Sequence, residues 1–221
     1  MISKEQQEKH NTRENPEFWD LILRPFSRPI TQFLVKFTKI TPNQITWVSL
    51  LIGIIASYFV LLEGKENLFI GAFLVLIFII LDNVDGEVAR LRKKSSNLGK
   101  WFDGITGFIV NELLIIAIAL GIGTTTALTI GLFTMIAFPM QYTLIYFYKS
   151  EIVKNNLPIQ ITKSGAINKI KYLYGSTFFQ FLVVLGCLFN KLIWVLLFFA
   201  VFGNLFWMGT ILIQYLNLRN G

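Results

Sequence analysis

Six apolar runs, over residues 45–62, 68 to about 90, 101–120, 125–147, 172–189 and 192–215, decide what this chain can become. Each is close to the ~20 residues a helix needs to cross a ~30 Å hydrocarbon core, and longer than the stripes that cover one face of a soluble helix. With 54% hydrophobic residues, 15% charged residues and 21 Phe in 221 positions, the chain cannot hide its apolar surface in an ordinary soluble core. A water-soluble enzyme is excluded. The fold class expected is all-α: a polytopic membrane protein with six transmembrane helices preceded by an interfacial amphipathic helix. The first forty residues carry Lys4, Lys9, Arg13, Glu14, Glu17 and Asp20 and no apolar core of signal-peptide length, so the first span itself is expected to direct insertion.

The formal charge of +7 invites a nucleic-acid partner, but the placement of the charge answers that idea. Seven basic residues precede Pro42, five lie within 90–100, five within 149–171, and Arg219 follows the last span. Only Lys65 and Lys191 are left for the opposite side, so the positive-inside rule puts both termini in the cytoplasm. Membrane orientation thus accounts for the charge, and no nucleic acid is expected.

The chain reads as residues 1–42, a cytoplasmic segment with a juxtamembrane amphipathic helix, and 43–221, a six-helix transmembrane catalytic domain. In the first part Phe18, Trp19, Leu21, Ile22, Leu23, Phe26, Ile30, Phe33, Leu34 and Phe37 interleave with Arg24, Arg28, Lys36 and Lys39. Pro25 and Pro29 predict that this amphipathic segment is broken. Its roles are anchoring, or presenting Arg24 or Arg28 to an anionic headgroup or phosphate.

One Cys and one His exclude a disulfide framework, a Cys/His zinc site and a histidine triad within one chain, so acid–base or metal chemistry falls to carboxylates. Carboxylates inside spans cost at least ~2.5 kcal/mol each at mid-bilayer and persist where they serve a polar cavity. The second span ends Leu81-Asp82-Asn83-Val84-Asp85-Gly86-Glu87-Val88-Ala89-Arg90, and the third begins Gly99-Lys100-Trp101-Phe102-Asp103-Gly104-Ile105-Thr106-Gly107. On a helix Asp82 and Asp85 share a face, which Gly86 and Ala89 continue with almost no bulk. Asp103 lies about one turn into the next helix, and a short basic loop makes the two helices antiparallel neighbours. Three converging carboxylates suit a hard divalent cation, Mg²⁺ or Mn²⁺. Arg90, Arg92, Lys93, Lys94 and Lys100 suit the polyanion such a cation would carry. The residues describe a metal-assisted phosphoryl-transfer site facing the cytoplasm. A proton or ion pathway would place its carboxylates nearer the bilayer midplane.

These residues resemble the CDP-alcohol phosphotransferase family, whose signature is D-x-x-D-G-x-x-A-R, about eight residues, then G-x-x-x-D-x-x-x-D. The chain matches at Asp82, Asp85, Gly86, Ala89, Arg90, Gly99 and Asp103, with eight residues between Arg90 and Gly99. The stretch Ile40-Thr41-Pro42-Asn43-Gln44-Ile45-Thr46 is similar to the family's approach to its first span. The resemblance implies that Asp82, Asp85 and Asp103 hold one or two metal ions, with Asp103 also catalytic. It implies that Gly86, Ala89, Arg90 and Gly99 receive the CDP moiety, with Asn43, Thr46 and Lys93 as further candidates. An acceptor hydroxyl of a lipid or polyol would attack the phosphate of a CDP-alcohol and release CMP, in phospholipid or related glycolipid synthesis. Homodimers are usual in that family.

The chain departs from the signature at Gly107, where the family carries its last aspartate, a metal ligand and the proposed general base. Three explanations stand: the acceptor brings its own anionic group, Gly107 makes room for a bulkier acceptor, or the chain is a weakened relative that binds CDP-alcohol without turning it over. A small transporter is the rival from another class. Asn111, one turn further on, would position a hydroxyl or water, whereas Glu112 points away from Asp103. Glu87 is similar to family members that handle CDP-activated polyols. Residues 149–171, with Lys163, Lys169 and Lys171 near Ser164 and Gly165, offer further phosphate contacts or a solvated loop.

Overall fold

A computed structural model describes residues 18–152 and 175–220. The expectations resting on Lys4, Lys9, His10, Arg13, Lys163, Ser164, Gly165, Lys169 and Lys171 lie outside the described residues, as does the start of the run at 172. Described are seven α-helices: α1 (Phe18–Phe37), α2 (Pro42–Leu61), α3 (Lys65–Leu91), α4 (Asn97–Ile122), α5 (Thr125–Phe147), α6 (Ser176–Leu188) and α7 (Leu192–Asn220), with a π-helical turn, Tyr148–Ile152, continuing α5.

Local chemistry sets the helix ends. Thr41 caps α2 with its side chain on the Gln44 N–H while the Gln44 side chain accepts from the Thr41 N–H, and Pro42 occupies the first turn, where its missing N–H costs nothing. α2 therefore begins before the apolar run it contains. Ser96 caps α4 through the Gly99 N–H at 3.0 Å, and Thr124 caps α5 through Ala127 at 3.1 Å. Gly123 closes α4 in the left-handed region, φ 64°, which glycine enters without steric cost. Short connections at 62–64 and 123–124 make α2 and α3, and α4 and α5, antiparallel neighbours; α3 and α4, expected to pack on each other because the loop at 92–96 is short, instead both pack against α2, which lies between them.

Among the described residues, five helices are long and apolar enough to cross a membrane: α2, α3, α4, α5 with its π-helical extension, and α7. The chain is an integral multi-pass membrane protein. The run expected at 172–189 appears as α6, 13 residues, about 20 Å of helix at 1.5 Å per residue and short of a full crossing by itself. α1 runs unbroken through Pro25 and Pro29, contrary to the expected break. The two prolines are four residues apart and both exposed, so their missing N–H groups fall on one outer side and the helix continues past them. Its opposite side buries Leu23, Ser27 and Thr31.

The core lies between helices. Phe138 of α5, Phe179 of α6 and Phe199 of α7 meet with ring centroids 5.1–5.3 Å apart and are almost wholly buried. α2 and α4 approach closely because position 53 has no side chain: a Cβ there would stand 2.5 Å from Val110 Cγ2. Toward one end of the bundle the same pair of helices is joined by Trp47 and Phe102, 4.8 Å apart. That end holds the polar residues.

Candidate functional site

Three chain segments meet in a cavity of about 330 Å³. The start of α2 contributes Pro42, Asn43 and Thr46; the end of α3 contributes Asp85, Gly86, Ala89 and Arg90; the loop before α4 contributes Lys94, Ser95 and Ser96, and the first two turns of α4 contribute Gly99, Lys100 and Asp103. Helix periodicity explains the α3 set. Residues 85, 86, 89 and 90 form one stripe, and the two small members leave the walls open between carboxylate and guanidinium. A Cβ on Gly86 would come within 3.2 Å of Arg90 Nη1, so the arginine side chain lies back against the glycine. Across the cleft, a Cβ on Gly99 would meet Asn43 Oδ1 and Ser96 Oγ, each at 3.2 Å.

Asp85 is 3% exposed and fixed in direction: Thr46 Oγ1 donates to its Oδ2 at 2.5 Å. Asp85 feels the charges of both Asp103 and Arg90. Two carboxylates on facing helices, with an arginine and two lysines around them, form a site of mixed charge in which a cation and a polyanion both find partners. The donor set fits Mg²⁺ or Mn²⁺, which take one or two carboxylates and complete their shell with water and substrate phosphate. Among the described residues no three Asp, Glu, His or Cys side chains form a metal-holding group. The protein's share of such a site is therefore a partial shell.

Of the residues singled out from the sequence, the cleft gathers Asn43, Thr46, Asp85, Gly86, Ala89, Arg90, Gly99 and Asp103. Asp82 is half-buried, one turn deeper on α3, and does not line it. Lys93 does not line it either. This residue takes a left-handed conformation, φ 54°, just past the helix end, and its neighbours Lys94 and Lys100 reach the cleft. Ser95 and Ser96 were missed as lining residues; the signal for Ser96 was its position three residues before Gly99, a helix-capping spacing that fixes it at the rim.

The departure at Gly107 has a clear local structure: nothing lies within 4 Å of where a Cβ would be. Asn111 does not offer its amide to the site. Its Nδ2 donates to Ser176 Oγ at 2.6 Å and its Oδ1 accepts from Gln180 Nε2 at 2.8 Å, tying α4 to α6. Glu112, as expected, looks elsewhere, into a groove with Phe108 and Tyr142 between α4 and α5. Glu87 is also turned from the cleft, 4% exposed against α1.

The fold and the cleft define a multi-pass helical membrane protein with two carboxylates, an arginine and two lysines gathered at one end of its bundle. The particular family follows from comparison with known proteins. The chain belongs to the CDP-alcohol phosphatidyltransferase family, whose model matches residues 39–211. It is similar to the bifunctional IPC transferase and DIPP synthase of Thermococcus kodakarensis, 38% identical over 82 residues that cover 37% of this chain and 18% of that protein. The protein of the same name from Archaeoglobus fulgidus is 28% identical over 185 residues, covering 81% of this chain and 35% of its own length. The archaetidylinositol phosphate synthase of Pyrococcus horikoshii is 33% identical over 82 residues, 37% of this chain and 42% of that protein. The match thus spans less than half the length of each of these curated relatives.

Proposed function

We propose that the chain is a divalent-metal-dependent CDP-alcohol phosphotransferase of phospholipid or related glycolipid synthesis: an acceptor hydroxyl attacks the phosphate of a CDP-alcohol, the bond to the CMP oxygen breaks, and CMP leaves. The observation that carries this reading is the single cleft that gathers Asp85, Asp103 and Arg90 with the small residues Gly86 and Ala89 between them. In it Asp85 and Asp103 would hold the metal, whereas Asp82, expected as a third ligand, lies outside the cleft. When bound, Mg²⁺ or Mn²⁺ supplies charge neutralisation for the diphosphate and for the leaving CMP. Thr46 keeps one Asp85 oxygen aimed. Gly86 and Ala89 let the nucleotide lie close to the α3 backbone, and Arg90, Lys94 and Lys100 pair with phosphate oxygens. Asn43 and Gly99 form the wall opposite, on the nucleotide side. Both termini and the cleft face the cytoplasm, where 18 of the 20 basic residues lie.

The open space beside Gly107 receives the acceptor. A polyol of the inositol type is favoured by the name of the Pyrococcus relative, an archaetidylinositol phosphate synthase. Gly107 also supports a second reading, a protein that binds CDP-alcohol without turnover, because the carboxylate that would draw the proton from the acceptor is missing.

One experiment separates these readings. Purified protein in nanodiscs is given Mg²⁺ or Mn²⁺, a panel of CDP-alcohols, and polyol, polyol-phosphate and lipid acceptors, while CMP release is followed. Release that chelation stops and Asp103→Asn removes establishes the transferase. Metal-dependent binding of a CDP-alcohol with no CMP from any pair establishes the binder and ends the transferase proposal.

A further inference from the structure

The turn that carries Asp85 and Arg90 has a second face, which the family signature leaves open. Glu87 follows Asp85 by two residues, about 200° around a helix, and so points away from the cleft. Its two oxygens are each engaged by a hydroxyl of α1: Ser27 Oγ donates to Oε1 at 2.8 Å and Thr31 Oγ1 donates to Oε2 at 2.6 Å. Both hydroxyl residues are fully buried and Glu87 nearly so. Ser27 and Thr31 are four residues apart, so both vectors leave one line of α1. Around this contact Val84 and Val88 pack with Leu34, Val35, Ile40 and Ile45. Just beyond it, Arg92 donates to the carbonyls of Leu34 at 2.8 Å, Thr38 at 2.9 Å and Ile40, at and just past the end of α1.

A carboxyl is a costly way to join two helices. An apolar side chain at 87 facing alanines at 27 and 31 would hold them with less desolvation. Two directed hydrogen bonds from fixed donors do something that apolar packing does not: they set the rotation and height of one helix against the other. The turn so fixed needs it, because α3 ends at Leu91 and terminal turns open most readily.

We infer that Glu87, gripped by Ser27 and Thr31, is a positioning residue that fixes the rotation of the Asp85–Arg90 turn and so aims Asp85 and Arg90 into the cleft. It touches no substrate. The catalytic part of this inference rests on the transferase reading; the structural part does not, and the test separates them.

The full chain in nanodiscs is compared as wild type, Glu87→Leu, Ser27→Ala with Thr31→Ala, the milder Ser27→Ala alone, and Glu87→Gln. Two readouts are taken: amide hydrogen exchange along residues 82–91 and 105–118, and CMP-release kinetics per folded molecule. Loss of the grip is expected to speed exchange across 82–91 by about tenfold or more while 105–118 stays unchanged. It is expected to lower kcat by about 10–100-fold, with the acceptor KM unmoved, because the reacting groups are misaimed. Glu87→Gln, which still accepts from one hydroxyl and donates to the other, is expected to stay within about threefold of wild type on both readouts. Unchanged exchange over 82–91 in the Ser27 and Thr31 variants overturns the inference, and so does a change in which CDP-alcohol Glu87→Gln turns over, since that would mean direct contact. If Glu87→Leu fails to fold, Ser27→Ala alone carries the comparison. If wild type releases no CMP, the transferase proposal falls and exchange alone decides the grip.

Discussion

Gly107→Asp puts back the carboxylate the family signature asks for, and the structure allows the consequences to be worked out. The site is sterically open, with no atom within 4 Å of the new Cβ, so the substitution introduces no clash. Replacing a helical glycine also removes part of a ~1 kcal/mol propensity penalty. The charge is what matters. Residue 107 stands one turn from Asp103, about 6 Å along the helix, and two carboxylates at that distance repel by roughly 3 kcal/mol at an effective dielectric of 20, and by under about 1 kcal/mol in water. Both positions are half-exposed, so about 1–3 kcal/mol is the working range for the metal-free protein. A divalent cation between the two reverses the sign. The same 1–3 kcal/mol then favours the bound form, a gain of about 10–100-fold in metal affinity.

Thermal unfolding in chelator, repeated across a Mg²⁺ or Mn²⁺ titration, should show the variant less stable than wild type without metal and restored at a metal concentration about 10–100-fold lower. In CMP-release assays its acceptor KM should rise, because the new side chain occupies the acceptor's space. A variant that matches wild type in both melting and metal midpoint would show that Gly107 does not face the metal. Faster turnover at an unchanged acceptor KM would refute the placement of the acceptor beside Gly107 and show that the chain lacks only a base.

Two further substitutions test the scaffold. Thr46→Val keeps the volume but removes the hydroxyl that donates to Asp85 at 2.5 Å; the half-saturating metal concentration should rise about tenfold, and stability to melting in chelator should fall by the roughly 1–3 kcal/mol that a buried carboxyl loses with its donor. Gly53→Ala places a Cβ 2.5 Å from Val110 Cγ2, and the overpacking should destabilise the α2–α4 contact by about 1–3 kcal/mol in thermal unfolding, partly recovered by adding Val110→Ala.

Much of the site was legible because its signals are local. Asp85, Gly86, Ala89 and Arg90 are brought together by helical periodicity alone, and the five-residue loop before α4 forces Asp103 onto the facing wall. Periodicity, however, gives direction and not depth. Asp82 shares the face of Asp85 but sits a turn below the cavity. It also ends where the helix ends, so among the consecutive Arg92, Lys93 and Lys94 nothing in the sequence said which would turn inward. A left-handed residue at 93 decided it, while Arg92 was taken by the carbonyls at the end of α1.

Glu87 marks the other limit. Its direction was readable, since a residue two places from Asp85 cannot share its face, and direct contact with a polyol at the same site was therefore already hard to reconcile with a helix. Its partners were not. They lie 56 and 60 residues upstream, on a helix whose inner face sets two hydroxyls between Leu23 and Leu34, where an unbroken apolar stripe would be the usual sign of packing, and whose prolines predict an interruption. Had α1 been held by leucines at 27 and 31, hydropathy would have revealed the contact, but it would have left the last turn of α3 free to rotate by small amounts against a smooth surface. The polar contact is harder to read for the same reason that it constrains rotation: its specificity lies in the pairing of two particular hydroxyls with one particular carboxyl, which no single-segment pattern contains.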